Sequence, residues 1–224
     1  MTSLIPLVSS NHDNMKRIGT GLAFVLVPLL FMFAFAVHPG LLDPRLLSEE
    51  ELILRAHHNG LLAFGHVLVL LDVALLIVAT LRFMRLLDHG SAAWAGFIGA
   101  ALAVLGAVML GAEKGAECLT MSALDTLPEN QFGQMMPGLI AMFSKQGWMV
   151  LVWGVVLVAA GFAIQAIALL KTNAIPRWQS ALFLISLFLI GAPDGLEIVN
   201  LSGSILMAVA LVPYGIQTII KNDP

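Results

Sequence analysis

The chain has 224 residues, 59% of them hydrophobic and 11% charged, with a formal net charge of −3 and a mean hydropathy of +0.93. A soluble globular domain carries roughly 25% charged residues, so that class is excluded, and the small, dispersed charge argues against a nucleic-acid partner. Cys118 is the only cysteine, which excludes an intrachain disulfide or a thiolate metal cluster within one copy.

In chain order, residues 1–17 read as a cytoplasmic tail. Lys16 and Arg17 precede an apolar run too long for a signal peptide, with no small-residue cleavage site, so the run reads as a retained first span. Met15, directly before them, is a candidate start. A spanning helix takes about 20 mainly apolar residues at about 1.5 Å each. The candidates are Ile18–Val37, Leu61–Leu81, Ala92–Ala112, Gly147–Leu170, Trp178–Ala192 and Ile198–Ile220, with residues 221–224 as a second tail. The fifth is the shortest, and Pro193 marks its break. Pro28 and Pro213 predict kinks in the first and last spans. The runs do not alternate polar with apolar, so helices rather than a barrel are expected. The expectation is an all-α, polytopic bundle of six transmembrane helices in one domain, residues 18–220.

Basic residues orient it. With the amino terminus in the cytoplasm, Lys16, Arg17, Arg82, Arg85, Lys171, Arg177 and Lys221 fall inside, against Arg45, Arg55, Lys114 and Lys145 outside. Trp94 and Trp178 then lie at the inner interface and Trp148 at the outer one. Two outer connections are long. In His38–Gly60, Ser48 followed by Glu51 is a capping box that predicts a short helix running to His57. Glu113–Gln146 reads as a loop containing Pro128 and Pro137, with an apolar patch at Leu139–Phe143 that dips into the interface.

Residues 61–113 overlay 147–197 at a shift of 84, with Trp94 on Trp178, Gly111 on Gly195 and Glu113 on Glu197; this is a candidate parallel repeat. Ala95, Gly99, Ala103, Ala107 and Gly111 form a small-residue ridge on the third span, and Gly147, Gly154, Gly161 and Ala168 form another on the fourth. Such faces pack helices closely within one chain. They also suit a homo-oligomer or other membrane subunits.

Polar residues at depth are functional candidates in a membrane protein. Asp72, mid-span, reads either as a relay point for protons or cations or as an acid bonded to a neighbouring helix, with Ser186 its partner by depth. His66 lies higher on the same helix, where Asn200, Ser202 and Ser204 could bond to it. At the outer rim His38, His57, His58, Glu113, Glu117, Asp194 and Glu197 share one side. Glu113 and Glu117, four apart, share a helical face, as do Asp194 and Glu197. Of these, His57, His58, Glu113, Glu117, Asp194 and Glu197 could hold a divalent metal, although no HExxH or comparable signature is present and Lys114 could instead neutralise the Glu pair. The other reading is a solvated acidic rim. Haem needs imidazoles at matched depth on facing helices, and only His66 lies well inside a span.

No catalytic motif stands in the chain; there is no GxSxG elbow. Nothing in the sequence requires a cofactor. The favoured reading is a non-enzymatic permease-like module or accessory membrane subunit. The alternatives are an outward-facing metal-dependent membrane enzyme and a haem-binding redox protein. The re-entry AIPRWQSALFLI (Ala174–Ile185), the acidic GAEKGAECL (Gly111–Leu119) and the six-span plan resemble small uncharacterised bacterial multi-pass membrane proteins grouped as domains of unknown function. That resemblance covers most of the hydrophobic chain. It implies the bacterial cytoplasmic membrane and transfers no catalytic residue.

Overall fold

The computed structural model describes residues 6–43, 45, 47–144, 153–191 and 196–221. Every element among them is a helix: α1 (Pro6–Ala36), α2 (Glu49–Ala56), α3 (Gly60–Leu86), α4 (Ala92–Leu124), α5 (Glu129–Phe143), α6 (Trp153–Thr172), α7 (Arg177–Ile190) and α8 (Glu197–Ile220). Five of these, α1, α3, α4, α6 and α8, are long and apolar enough to cross a membrane. The expected fifth span is α7, at 14 residues about 21 Å long, short of a hydrocarbon layer of about 30 Å. Trp148 and Pro193 lie outside the described residues, as do Gly147, Asp194 and Gly195.

Six helices form a closed ring, in which α1 packs on α3, α3 on α4, α4 on α6, α6 on α7, α7 on α8, and α8 back on α1. Neighbours run antiparallel. At one seam Gly21 of α1 meets Gly215 of α8, and Arg17 Nη1 donates to Lys221 O at 2.6 Å. At another, Phe24 of α1 meets Phe83 of α3 while Ala34 and Val37 meet Gly65. The tightest seam joins α4 to α6. A Cβ added to Gly106 or Gly99 would lie 2.7 Å from the carbonyl oxygen of Gly154 or Gly161 respectively, and one on Gly154 would lie 2.6 Å from Leu110 N. Gly99 and Ala103 of the expected α4 ridge therefore pack on Gly161, and Gly106, outside that ridge, packs on Gly154, backbone against backbone, as helices associate when lipid removes the hydrophobic drive. Gly111 of the ridge meets Val73 of α3 instead.

One polar clasp reinforces this side of the ring. Gln165 of α6, fully buried, donates through Nε2 to Thr80 O at 3.0 Å and Gly96 O at 3.2 Å. Its Oε1 accepts from Thr80 Oγ1 at 2.9 Å. Three helices are thus tied by one amide whose donors and acceptor are all satisfied. The ring's outward face is apolar, with Phe97 at 58% and Phe188 at 75% exposure, which suits lipid contact.

The connection read as a loop from Glu113 is helical. α4 continues twelve residues beyond Ala112, to Leu124, and α5 follows with Pro128 as its N-cap residue and Pro137 inside it. Charge at Glu113, Lys114 and Glu117 ends the apolar run but not the helix, because Ala, Glu, Lys and Met are strong helix formers, no proline intervenes and Gly115 alone costs only about 1 kcal/mol. The capping box forms as expected. Ser48 Oγ accepts from Glu51 N, and Glu51 Oε2 accepts from Ser48 N at 3.1 Å, starting α2. Leu139 is buried against Ile53, Leu124 and Phe132, so the apolar patch joins α2 and α5 in a second small core that caps one end of the ring.

The link into α2 is electrostatic. Asp43 accepts from Arg45 and, at 3.0 Å, from Arg55 Nη2, whose Nη1 also donates to Pro39 O at 3.2 Å. These bonds, Arg45's first, hold the Asp43 carboxyl down from 3.8 to about 2. A depressed carboxyl contributes fully above its unfolded value and loses that contribution as pH falls through its folded one. Pepsin should therefore cut segment 40–57 progressively faster, relative to an unstructured control peptide, between pH 3.8 and about 2; Asp43→Asn should abolish that rise. In the ring, Gly161→Val should lower stability by about 1–3 kcal/mol through overpacking, read as a lower Tm of the detergent-solubilised chain. An unchanged Tm would mean the α4–α6 seam is not tight.

Candidate functional site

The ring encloses a cavity of about 560 Å³ to which all six of its helices contribute. Its body is apolar, lined for example by Phe31, Val69, Leu76, Val158, Leu187 and Met207. At the capped end its lining turns polar, with His38, His66, Glu113, Lys114, Glu117 and Asn200. At the opposite end it is floored by Phe83, Phe162 and Phe183, whose ring centroids lie 5.6–6.2 Å apart. Phe24 extends this cluster, 5.0 Å from Phe83 and 4.9 Å from Tyr214. Aromatic rings from five helices thus seal the end where Lys16, Arg17, Lys171, Arg177 and Lys221 lie. From His66 to Phe83 the wall of α3 runs about 25 Å at the helical rise. The space is a cup, polar at the lip and hydrocarbon-like to its base.

At the lip the charged groups are interlinked. Glu117 Oε2 accepts from Lys114 Nζ at 2.7 Å, and Glu117 Oε1 lies 3.6 Å from His66 Nδ1 across the α3–α4 seam. His38 Nδ1 lies 2.9 Å from Glu197 Oε1. Glu197 also crowds Gly40, where an added Cβ would lie 3.0 Å from its Oε2. Glu113 lines the cavity on the same face of α4 as Glu117.

The remaining polar residues serve the helices. Asn200, with its amide turned to donate, reaches Leu189 O at 3.0 Å and Ile190 O at 2.8 Å. These are the terminal carbonyls of α7, which lack partners within their own helix. Asn200 thereby lets α7 stop inside the bundle, and His66 takes Glu117 rather than Asn200 as partner. Ser202 and Ser204 donate to carbonyls of their own helix, Ile198 O and Leu201 O. The expected Asp72–Ser186 bond is not formed: Ser186 Oγ donates to Phe183 O at 2.6 Å. Asp72 is fully enclosed, neither carboxyl oxygen has a hydrogen-bond partner among the described residues, and it is not part of the cavity lining. It lies seven residues along α3 from Gly65, on the stripe that there faces α1.

The described rim residues do not gather into one site, and Asp194 lies outside them. Among the described residues, His57, His58 and Asp125 bring metal-ligating atoms within 4.8 Å of one another. Glu129 joins them, 3.6 Å from His57 Nε2 and 3.9 Å from His58 Nε2. Neither acid is evident from sequence, because both belong to a stretch that reads as loop; the signal available was their spacing of four, one residue on each side of Pro128. Glu113 and Glu117 belong instead to the cup's lip, and Glu197 pairs with His38 beside it. No protein family, no curated protein and no solved structure matches this chain.

Proposed function

We propose that the chain is a non-enzymatic membrane module, permease-like or accessory to other membrane subunits, that holds an amphiphilic ligand in the cup. One observation carries this reading: a cavity of about 560 Å³, apolar through its depth, has its charged groups confined to one end. A molecule with a hydrocarbon tail and a polar head satisfies both parts, the tail removing water from the body and the head meeting His66, Glu113, Lys114 and Glu117. Closure of the base by aromatic rings makes the arrangement one-sided, as in a transporter open to a single face. Among the described residues, nothing in the lip resembles a nucleophile held by a base, which favours binding over catalysis. A metal-dependent activity at the lip is disfavoured by Lys114, which occupies Glu117 directly.

Six spans follow if α7 completes the ring within the bilayer, and the location is then the bacterial cytoplasmic membrane. Both termini are on its cytoplasmic side, with the cup opening outward, because the turns at the sealed end carry most of the Lys and Arg.

Native mass spectrometry of delipidated chain should show about one retained single-chain amphiphile. Ala79→Trp, which fills the cavity from a site 2% exposed, should abolish it, and Leu76→Phe should reduce it without unfolding. No retained species in the wild type, or equal retention in both variants, would remove the reading. For sidedness, Ser91→Cys in a Cys118→Ser background should resist an impermeant maleimide in intact cells and react after permeabilisation. Ready labelling of intact cells would reverse the assignment.

A further inference from the structure

Outside the cup, the turn between α2 and α3 is pinned to the turn between α4 and α5 by two stacked imidazoles and two carboxylates. His57 and His58 have ring centroids 4.0 Å apart with a 32° tilt. The second ring reaches that position because His58 adopts φ 55, a left-handed conformation that His tolerates better than most residues. Asp125, at the end of α4, faces the Nδ1 edges. Its Oδ1 lies 2.8 Å from His57 Nδ1 and 3.1 Å from His58 N, which donates to it. Glu129, at the start of α5, faces the Nε2 edges.

A carboxylate accepts only, so His57 Nδ1–H donates to Asp125, and the ring turns its Nε2 the other way. That Nε2 is buried on a side chain 9% exposed and has no hydrogen-bond partner among the described residues. It looks instead toward Glu129 Oε1 at 3.6 Å. A buried imidazole nitrogen and a carboxylate oxygen that face each other beyond hydrogen-bond distance frame a place for a cation.

We propose that His57 Nε2, His58 Nε2 and Glu129 Oε1 bind one divalent transition-metal ion of the zinc type, with Asp125 orienting His57 from behind. Distances separate ligands from support. Two atoms about 2.0–2.1 Å from a tetrahedral ion stand about 3.3 Å apart. The two Nε2···Oε1 separations are 3.6 and 3.9 Å, and Glu129, 80% exposed, can close the difference by a small side-chain movement. At 2.8 Å, His57 Nδ1 and Asp125 Oδ1 are too close to ligate the same ion and are at hydrogen-bond distance, the carboxylate–histidine support that metal-binding imidazoles use. Phe132 stacks on His57 at 3.7 Å and 10°, fixing the ring plane from the core shared by α2 and α5. Two imidazoles and one carboxylate suit zinc or its neighbours better than calcium or magnesium, which prefer all-oxygen shells. The ion would bind α5 to the α2–α3 turn and hold the cap over the lip of the cup.

The test is titration of the tag-free, chelator-treated full chain in detergent with Zn²⁺ by calorimetry, and with Co²⁺ as a coloured reporter. One saturable site per chain is expected, with a visible Co²⁺ band that Zn²⁺ bleaches. His58→Asn, which keeps a residue at ease with positive φ, and Glu129→Gln should each weaken binding at least about tenfold. Asp125→Asn should weaken it about tenfold or more through His57's orientation, and His89→Asn, at the other end of the ring, should change nothing. Both ligand variants alter exposed side chains, and an unchanged Tm before metal addition verifies folding. Absence of a saturable site in the wild type, or undiminished affinity in His58→Asn and Glu129→Gln, overturns the proposal.

Discussion

Close backbone approach at glycine seams is the constraint from which the rest of this structure follows. Gly99 and Gly106 of α4 against Gly161 and Gly154 of α6, and Gly21 of α1 against Gly215 of α8, draw helices to distances no side chain would permit. Helix pairs joined that tightly leave their larger residues to point elsewhere. Leucines and phenylalanines on one side go to the surface, and those on the other go to the centre of the ring. A six-membered ring with narrow seams cannot also fill its middle, so the open space is a result of how its wall is made. The aromatic cluster of Phe24, Phe83, Phe162, Phe183 and Tyr214 fills it at one end only.

Polar groups inside the wall obey a strict rule, since no water is at hand to substitute for a missing partner. Gln165 saturates itself on three helices, Asn200 terminates α7, and the buried serines Ser186 and Ser204 bond back to their own helix. The exceptions within the described wall are Gln179 Oε1 and Ser180 Oγ, near the start of α7, and Asp72. The isolation of Asp72 sets it apart from the carboxylates at and beside the lip, two of which have a nearby imidazole.

Hydropathy and charge made the helical, membrane-type character of the chain legible, along with α2 through its capping box and the intramolecular use of the small-residue ridges. Two things were not legible. The first was the extent of α4, because the charges at Glu113–Glu117 end an apolar run without ending a helix. The second was which rim residues meet. Periodicity places His57, His58 and the acids on one side of a bundle, but which of them touch depends on the angle between α4 and α5, and a turn of a few residues conceals that angle. Asp125 and Glu129 became visible only once that turn was folded. Asn200 was visible as a buried amide, yet its role depends on where α7 stops, which no local pattern encodes.

The length of α4 has a mechanical consequence. Its 33 residues make a rod of about 50 Å, whereas the hydrocarbon layer accounts for about 30 Å. The surplus is a continuous mast that carries Glu117 near its midpoint and Asp125 at its tip. Because the mast is unbroken, any tilt of its embedded half must swing the tip sideways by a comparable amount. The cap and the bundle therefore cannot move independently, and a change in lipid thickness that rocks α4 would be felt at the histidine pair.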